Sequence, residues 1–213
     1  LGDTTEHSSS SCSTVRTVTG GAYYVPEGGC RLDTISVISD VDECLSSWTP
    51  LNLAMLQDRI TDCKASNCVA ELHYPDFGRY NTSLLTELGP LNIGNTFNPI
   101  AGLYWDVSSV TDMEDVFYYG KMFNQPLHAW DTSSVNTMHG MFEKAWAFDH
   151  PLVFDTSNVL DMSNMFKDAF AFNQPLSWDT SQVLDMSNMF LNAQAFDQDI
   201  GSWDTSSVTS MED

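Results

Sequence analysis

Trp178-Asp179-Thr180-Ser181-Gln182-Val183-Leu184-Asp185-Met186-Ser187-Asn188-Met189-Phe190 is one of five copies of the same pattern. Its opening six residues return as Trp105–Val110, Trp130–Val135, Phe154–Val159 and Trp203–Val208, at separations of 25, 24, 24 and 25 residues. Three residues after each Val stands a methionine: Met113, Met138, Met162, Met186 and Met211. Phe117, Phe142, Phe166 and Phe190 follow four residues later. A Phe-led turn closes the unit, as in Phe123-Asn124-Gln125-Pro126-Leu127 and Phe172-Asn173-Gln174-Pro175-Leu176. Phe97-Asn98-Pro99-Ile100 is a degenerate copy of that turn, which sets the start of the array near Asn92.

A fixed period of this length is the mark of stacked supersecondary units. One coil cannot bury its own apolar side chains, so each Val, Met, Phe and Trp is expected to pack on its counterpart in the next coil. Val-x-x-Met-x-x-x-Phe predicts a short strand turning into a helical segment. The Asn of the return turn is placed to bond neighbouring backbone groups as a ladder.

Upstream, residues 1–13 are Ser-rich and read as a linker or tail. Residues 14–92 form a different region, with a β-prone hairpin around Gly20-Gly21. Thr49-Pro50 then opens a helical pattern with Leu53, Leu56 and Ile60 on one face. All five cysteines, Cys12, Cys30, Cys44, Cys63 and Cys68, lie here. No CxxC pair occurs among them, so they predict a disulfide-stapled α+β cap more readily than a zinc or redox site. The odd number leaves one thiol over, and the spacing does not fix the connectivity. Asn81-Thr82-Ser83 is an N-glycosylation sequon.

The chain carries 8 Lys and Arg against 29 Asp and Glu, a net charge of -21. A surface that acidic repels nucleic acid and anionic membrane. No apolar run reaches the roughly 18 residues of a bilayer span. The cysteines argue for an extracellular setting, so the chain is expected to begin at Leu1 after processing. The fifth repeat breaks off at Met211-Glu212-Asp213, before its Phe and its return turn. Either further repeats or another subunit, in an end-to-end self-association, is expected to cover that edge.

These repeats resemble the BspA-like leucine-rich-repeat surface proteins, also known as a mycoplasma-lipoprotein repeat. The shared signature is Trp-Asp-x-Ser-x-Val-x-x-Met-x-x-Met-Phe followed by Phe-Asn-Gln-x-Leu. Asp161-Met162-Ser163-Asn164-Met165-Phe166 and Asp185–Phe190 match it closely. The resemblance covers residues 93–213. It implies an α/β, leucine-rich-repeat-like, right-handed solenoid with short parallel strands, located outside the cell or on its surface. It also implies binding or structural work, and it brings no catalytic residues.

The chemistry of the residues agrees with a non-enzymatic reading. His7, His73, His128, His139 and His150 do not recur at one register, so they form no metal ladder, and no Gly-x-Ser-x-Gly elbow appears. Asp106, Asp131, Asp155, Asp179 and Asp204 do share a register. Stacked carboxylates must be compensated, either by the Ser and amides that follow them in an Asx-turn or by bridging calcium. A second, interrupted line holds Asp112, Asp161 and Asp185, with Thr137 and Ser210 between and after them. Thr132, Thr156, Thr180 and Thr205 form a file of the kind that can order water against ice. The expected function is binding or adhesion to an extracellular protein or glycan. The alternatives are a subunit of a filament, coat or matrix, a calcium-dependent adhesin, and an ice-binding protein.

Overall fold

A computed structural model of the protein describes residues 52–65, 82–99 and 103–212. All of these belong to the second of two compact units, Leu51–Asp213. The Ser-rich segment, the Gly20-Gly21 hairpin, Cys12, Cys30, Cys44, Cys68 and Asn81 lie outside the described residues.

The one helix among the described residues, α1, runs Leu53–Ala65 and carries Cys63 on its backbone. Asn52 caps it. Its Oδ1 accepts the amide of Met55 at 2.9 Å, which satisfies one of the first-turn donors that have no partner within the helix. The helix thus begins three residues after the expected Pro50 start. Leu56 and Ile60 are fully buried in one core with Leu85, Leu88 and Leu91 of the chain that follows. Gln57 Nε2 donates to the carbonyl of Pro90 at 2.8 Å and fixes the helix to that segment.

From Thr82 onward the chain winds in coils that pair in parallel. Single bridges join Glu87 to Asp112, Asp112 to Thr137, Thr137 to Asp161, Asp161 to Asp185 and Asp185 to Ser210. The series therefore starts ten residues ahead of Asn92. Thr82, Leu85 and Leu88 hold the places of Thr132, Val135 and Met138, and the coil they begin carries no Trp-Asp signature. Each pairing is one residue wide, so the short parallel strands expected from the sequence are reduced to single bridges.

The backbone after each bridge shows why. Asp115, Asn164 and Asn188, two residues past the aligned Met, have φ of 57°, 58° and 54°, and Gly140 has 57°. Four residues later, Tyr119, Lys144, Asp168 and Asn192 have φ of 60°, 59°, 57° and 58°. Left-handed residues twice per coil forbid both an extended strand and a continuous α-helix. Asp, Asn and Gly tolerate that conformation best, and they fill the first of the two sites in every coil that has it. The amides then alternate in direction. Those of Met113, Asp115, Phe117 and Tyr119 donate to Thr137, His139, Met141 and Glu143 of the next coil at 2.9–3.0 Å. Those of Tyr118 and Gly120 donate three residues back, to Asp115 and Phe117. The helical segment expected between Met and Phe is thus a run of tight turns.

Phenylalanines fill the interior. Phe117, Phe142, Phe166 and Phe190 stack with centroids 5.4, 5.6 and 5.6 Å apart. A second column, Phe123, Phe148, Phe172 and Phe196, has spacings of 5.8, 5.9 and 6.0 Å. Within a coil the two columns touch at 4.1–4.2 Å. Offset ring stacking of this kind adds to the ordinary benefit of apolar burial. At the return turn the amide side chains form their own ladder. Asn98 Oδ1 accepts from Asn124 N and Gln125 Nε2 at 3.0 and 2.8 Å. Asn173 Oδ1 accepts from Asp197 N and Gln198 Nε2 at 2.9 and 2.8 Å.

Candidate binding surface

The aligned aspartates cap their own turns. Asp106, Asp131 and Asp155 each accept, through Oδ1, the amide of the second residue on at 3.0–3.1 Å and its hydroxyl at 2.7 Å. Asp179 and Asp204 accept the amides of Ser181 and Ser206 at 3.0 and 2.9 Å. The hydroxyl of the paired serine, with its amide second, holds Asp131, Asp155 and Asp204 below the usual carboxylate range. For Asp179 the Ser181 amide is the larger influence. Neighbouring carboxylates push the other way at Asp155 and Asp179, but they are outweighed. Compensation thus comes from within each turn. Among the described residues no group of three or more His, Cys, Asp or Glu is arranged to hold a metal ion.

The second line does the same work. Asp112, Asp161 and Asp185 accept the amides of Glu114, Ser163 and Ser187, each at 2.8 Å. Three of the four threonines of the file face inward, and Thr205 in the last coil is exposed. Thr132, Thr156 and Thr180 are buried, and each hydroxyl donates to the carbonyl of Asp155, Asp179 or Asp204 in the next coil at 2.8–3.0 Å. Thr82 does the same to Asp106 at 2.8 Å.

One polar cluster was not legible as a unit. His139 Nδ1 lies 2.7 Å from Ser163 Oγ, and Asp115 is close enough to feel the imidazole. The arrangement is not that of an activated nucleophile. The Ser163 hydroxyl donates to Asp161 Oδ1 at 2.6 Å, so its proton points away from the histidine, and Ser163 is buried. Burial raises the Asp115 pKa, with His139 opposing.

The outward surface differs from the scaffold. Tyr118, Tyr119, Met122 and Trp146 are all exposed, Trp146 by 39%. Lys121 Nζ sits 3.7 Å from the Trp146 ring centroid and 4.5 Å from that of Tyr119. Trp146 in turn lies 5.5 Å from Phe170. Lys144 Nζ is 5.0 Å from the Tyr118 ring and 2.6 Å from Glu143 Oε1, a bond that raises the lysine pKa. Lys167 approaches the same carboxylate oxygen at 3.6 Å. Beyond Arg79 the chain has no lysine or arginine other than these three, so every such cation of the coils gathers on one surface. The sequence carried a signal for this surface in its departures from the repeat. Lys121, Trp146 and Phe170 occupy one register, where no single residue type repeats.

The coils and their self-capped turns define a tandem-repeat protein. A family model described as a Mycoplasma protein of unknown function, DUF285, matches residues 63–153, 91–177 and 152–213. The chain belongs to that family. The matched segments overlap, as expected of a pattern that can be laid along itself at more than one register. No curated protein and no solved structure matches the chain. No described helix is long and apolar enough to cross a membrane.

Proposed function

We propose that the chain is a non-enzymatic, extracellular or cell-surface repeat protein that binds an external protein or glycan. We further propose that its coils form a right-handed, leucine-rich-repeat-like solenoid of the BspA type. The observation that carries this reading is the surface of exposed aromatics and half-buried lysines on a scaffold whose other conspicuous polar groups satisfy one another. Exposed aromatic surface of this kind marks interaction sites. The acidic, cysteine-bearing N-terminal region suits an external location, and the turn aspartates suit a structural role.

The test is made on intact cells of the source organism. Antibody against the purified chain should label unpermeabilised cells or the secreted fraction, and external protease should remove the label. Label found only after permeabilisation would overturn the reading. A calcium-dependent adhesin should gain thermal stability in calcium, since a ligand of the folded state alone raises stability. The engaged carboxylates predict no shift at about millimolar calcium.

A further inference from the structure

We infer that the chain docks side by side on a second copy of itself, the lysine-bearing surface of one copy seated on the aspartate-lined bridge face of the other. The inference names the partner of the binding surface proposed above and rests on that reading. Charge divides the repeat into unlike strips. The strip 106–112, with its equivalents 131–137, 155–161, 179–185 and 204–210, carries eight aspartates and no lysine, arginine or histidine. Leu160 and Leu184 stand exposed within it, at one register of successive coils. The strip 118–122, with 143–147 and 167–171, carries Lys121, Lys144 and Lys167 against two carboxylates, Glu143 and Asp168. Glu143 is buried and is shared by Lys144 and Lys167, so positive charge is in excess at this surface.

Asp155 and Lys167 are half a repeat apart, so the two strips lie on different sides of the coil and one molecule cannot join them. A second copy can. Lys121, Lys144 and Lys167 come from three successive coils, as do Asp131, Asp155 and Asp179. Both rows therefore rise by the same step, the one set by the bridge that joins each coil to the next. Two copies with their coils aligned bring lysines and carboxylates together over several coils without slipping. A basic partner of another build has no such match in spacing. The contact also covers exposed apolar side chains on both sides, Met122 and Trp146 on one strip and Leu160 and Leu184 on the other. The net charge of -21 opposes the approach of two copies. At physiological salt the Debye length is about 8 Å, which screens that distant repulsion far more than it screens charges in contact. Because unlike faces meet, each pair leaves one face of each kind open, and further copies can add.

Sedimentation velocity on the purified full chain at about 0.15 M salt tests this. Raising the concentration into the high micromolar range should take the chain past the dimer. Trp146→Gln with Lys167→Gln spoils the lysine strip, and Leu160→Lys with Leu184→Lys spoils the aspartate strip. Gln194 stands at the register of Trp146, and Asn136 and Thr209 at that of the leucines, so polar residues fit there and both variants should melt near the parent. Each variant alone should lose about tenfold or more in association constant. An equimolar mixture of the two should form a one-to-one complex and nothing larger, because only one intact pair of unlike faces remains. Should the first variant melt early through the loss of Lys167 beside Glu143, Trp146→Gln with Met122→Gln leaves those ion pairs in place and gives the same readout. A parent that stays monomeric, a parent that stops at a dimer, variants that associate like the parent, or a mixture that stays monomeric would each overturn the inference. Antibody labelling of intact cells does not depend on self-docking, so surface label beside a monomeric parent would remove only the second copy as partner and leave the proposed location standing.

Discussion

Thr156 and Asp179 are joined across two coils: the buried Thr156 hydroxyl donates to the Asp179 carbonyl at 2.8 Å. The acceptor belongs to the residue whose carboxylate caps the next turn, so one hydrogen bond ties a core position to the geometry of the neighbouring coil. Thr156→Val keeps the shape and removes the donor, leaving a carbonyl short of its partner. The expected loss is about 1–2 kcal/mol in urea unfolding. Val107 is the natural counterpart of this variant, and its coil lacks the equivalent bond to Asp131. Val107→Thr should therefore gain up to about 1 kcal/mol. A destabilised Val107→Thr would show that the pocket around residue 107 has closed over the methyl.

Asn188 and Gly140 hold equivalent left-handed positions, with φ of 54° and 57°. A Cβ at Gly140 would also overlap Asp115 Oδ1. Asn188→Ala should cost about 1 kcal/mol, from backbone conformation alone. Gly140→Ala should cost more, about 1–3 kcal/mol, since side-chain displacement is added to the backbone strain. Asn188→Gly is the control and should lie close to the parent. Equal losses for Asn188→Gly and Asn188→Ala would mean that the asparagine side chain, and not its backbone, matters there.

The residues that repeat gave up the period and the interior, because stacking forces like onto like. Val, Met and Phe columns and the Asn turn were all readable from spacing. Four things were not. The coil from Thr82 was hidden because Leu85 and Leu88 replace Val and Met, and burial accepts either. The tight-turn backbone was hidden because alternating left- and right-handed residues leave no period of 2 or 3.6 in hydrophobicity. Only the Asp, Gly and Asn at residues 115, 140, 164 and 188 pointed to it. The threonine file repeats as strictly as an exposed one would, so period alone could not say that Thr132, Thr156 and Thr180 are buried. The candidate binding surface was hidden for the opposite reason: Lys121, Trp146 and Phe170 do not repeat at all.

The turn caps predict a pH dependence. The Ser157 hydroxyl and amide lower the Asp155 pKa in the folded chain. A carboxylate lowered on folding stabilises the fold above its unfolded pKa of about 3.9, and that contribution fades as pH falls through the folded value. Ser157→Ala should therefore cost a few tenths of a kcal/mol at pH 7, small because the pair is exposed and screened. The gap between variant and parent should shrink in acid. An equal gap in denaturant midpoint at neutral pH and well below the carboxylate range would mean that the bond does not depend on the charge.

Asp115 has the opposite sign. Burial raises its folded pKa, Glu114 and Glu143 push the same way, and His139 and Lys144 oppose them. A group raised on folding favours the native state below its unfolded pKa, and this advantage is lost as pH rises through the folded value. At pH 7 the ionised Asp115 is therefore a burden on the fold. Asp115→Asn removes the charge and keeps a residue suited to φ of 57°, as Asn164 and Asn188 show at the same register. The variant should melt at a higher temperature than the parent at pH 7. The advantage should narrow as the parent is acidified through the carboxylate range, because Asp115 then becomes neutral itself. Thermal melts of the two chains across that range decide it. A variant less stable than the parent at pH 7 would mean that the attraction to His139 and Lys144 outweighs the desolvation of the carboxylate, and that Asp115 acts as an ionic tie between coils.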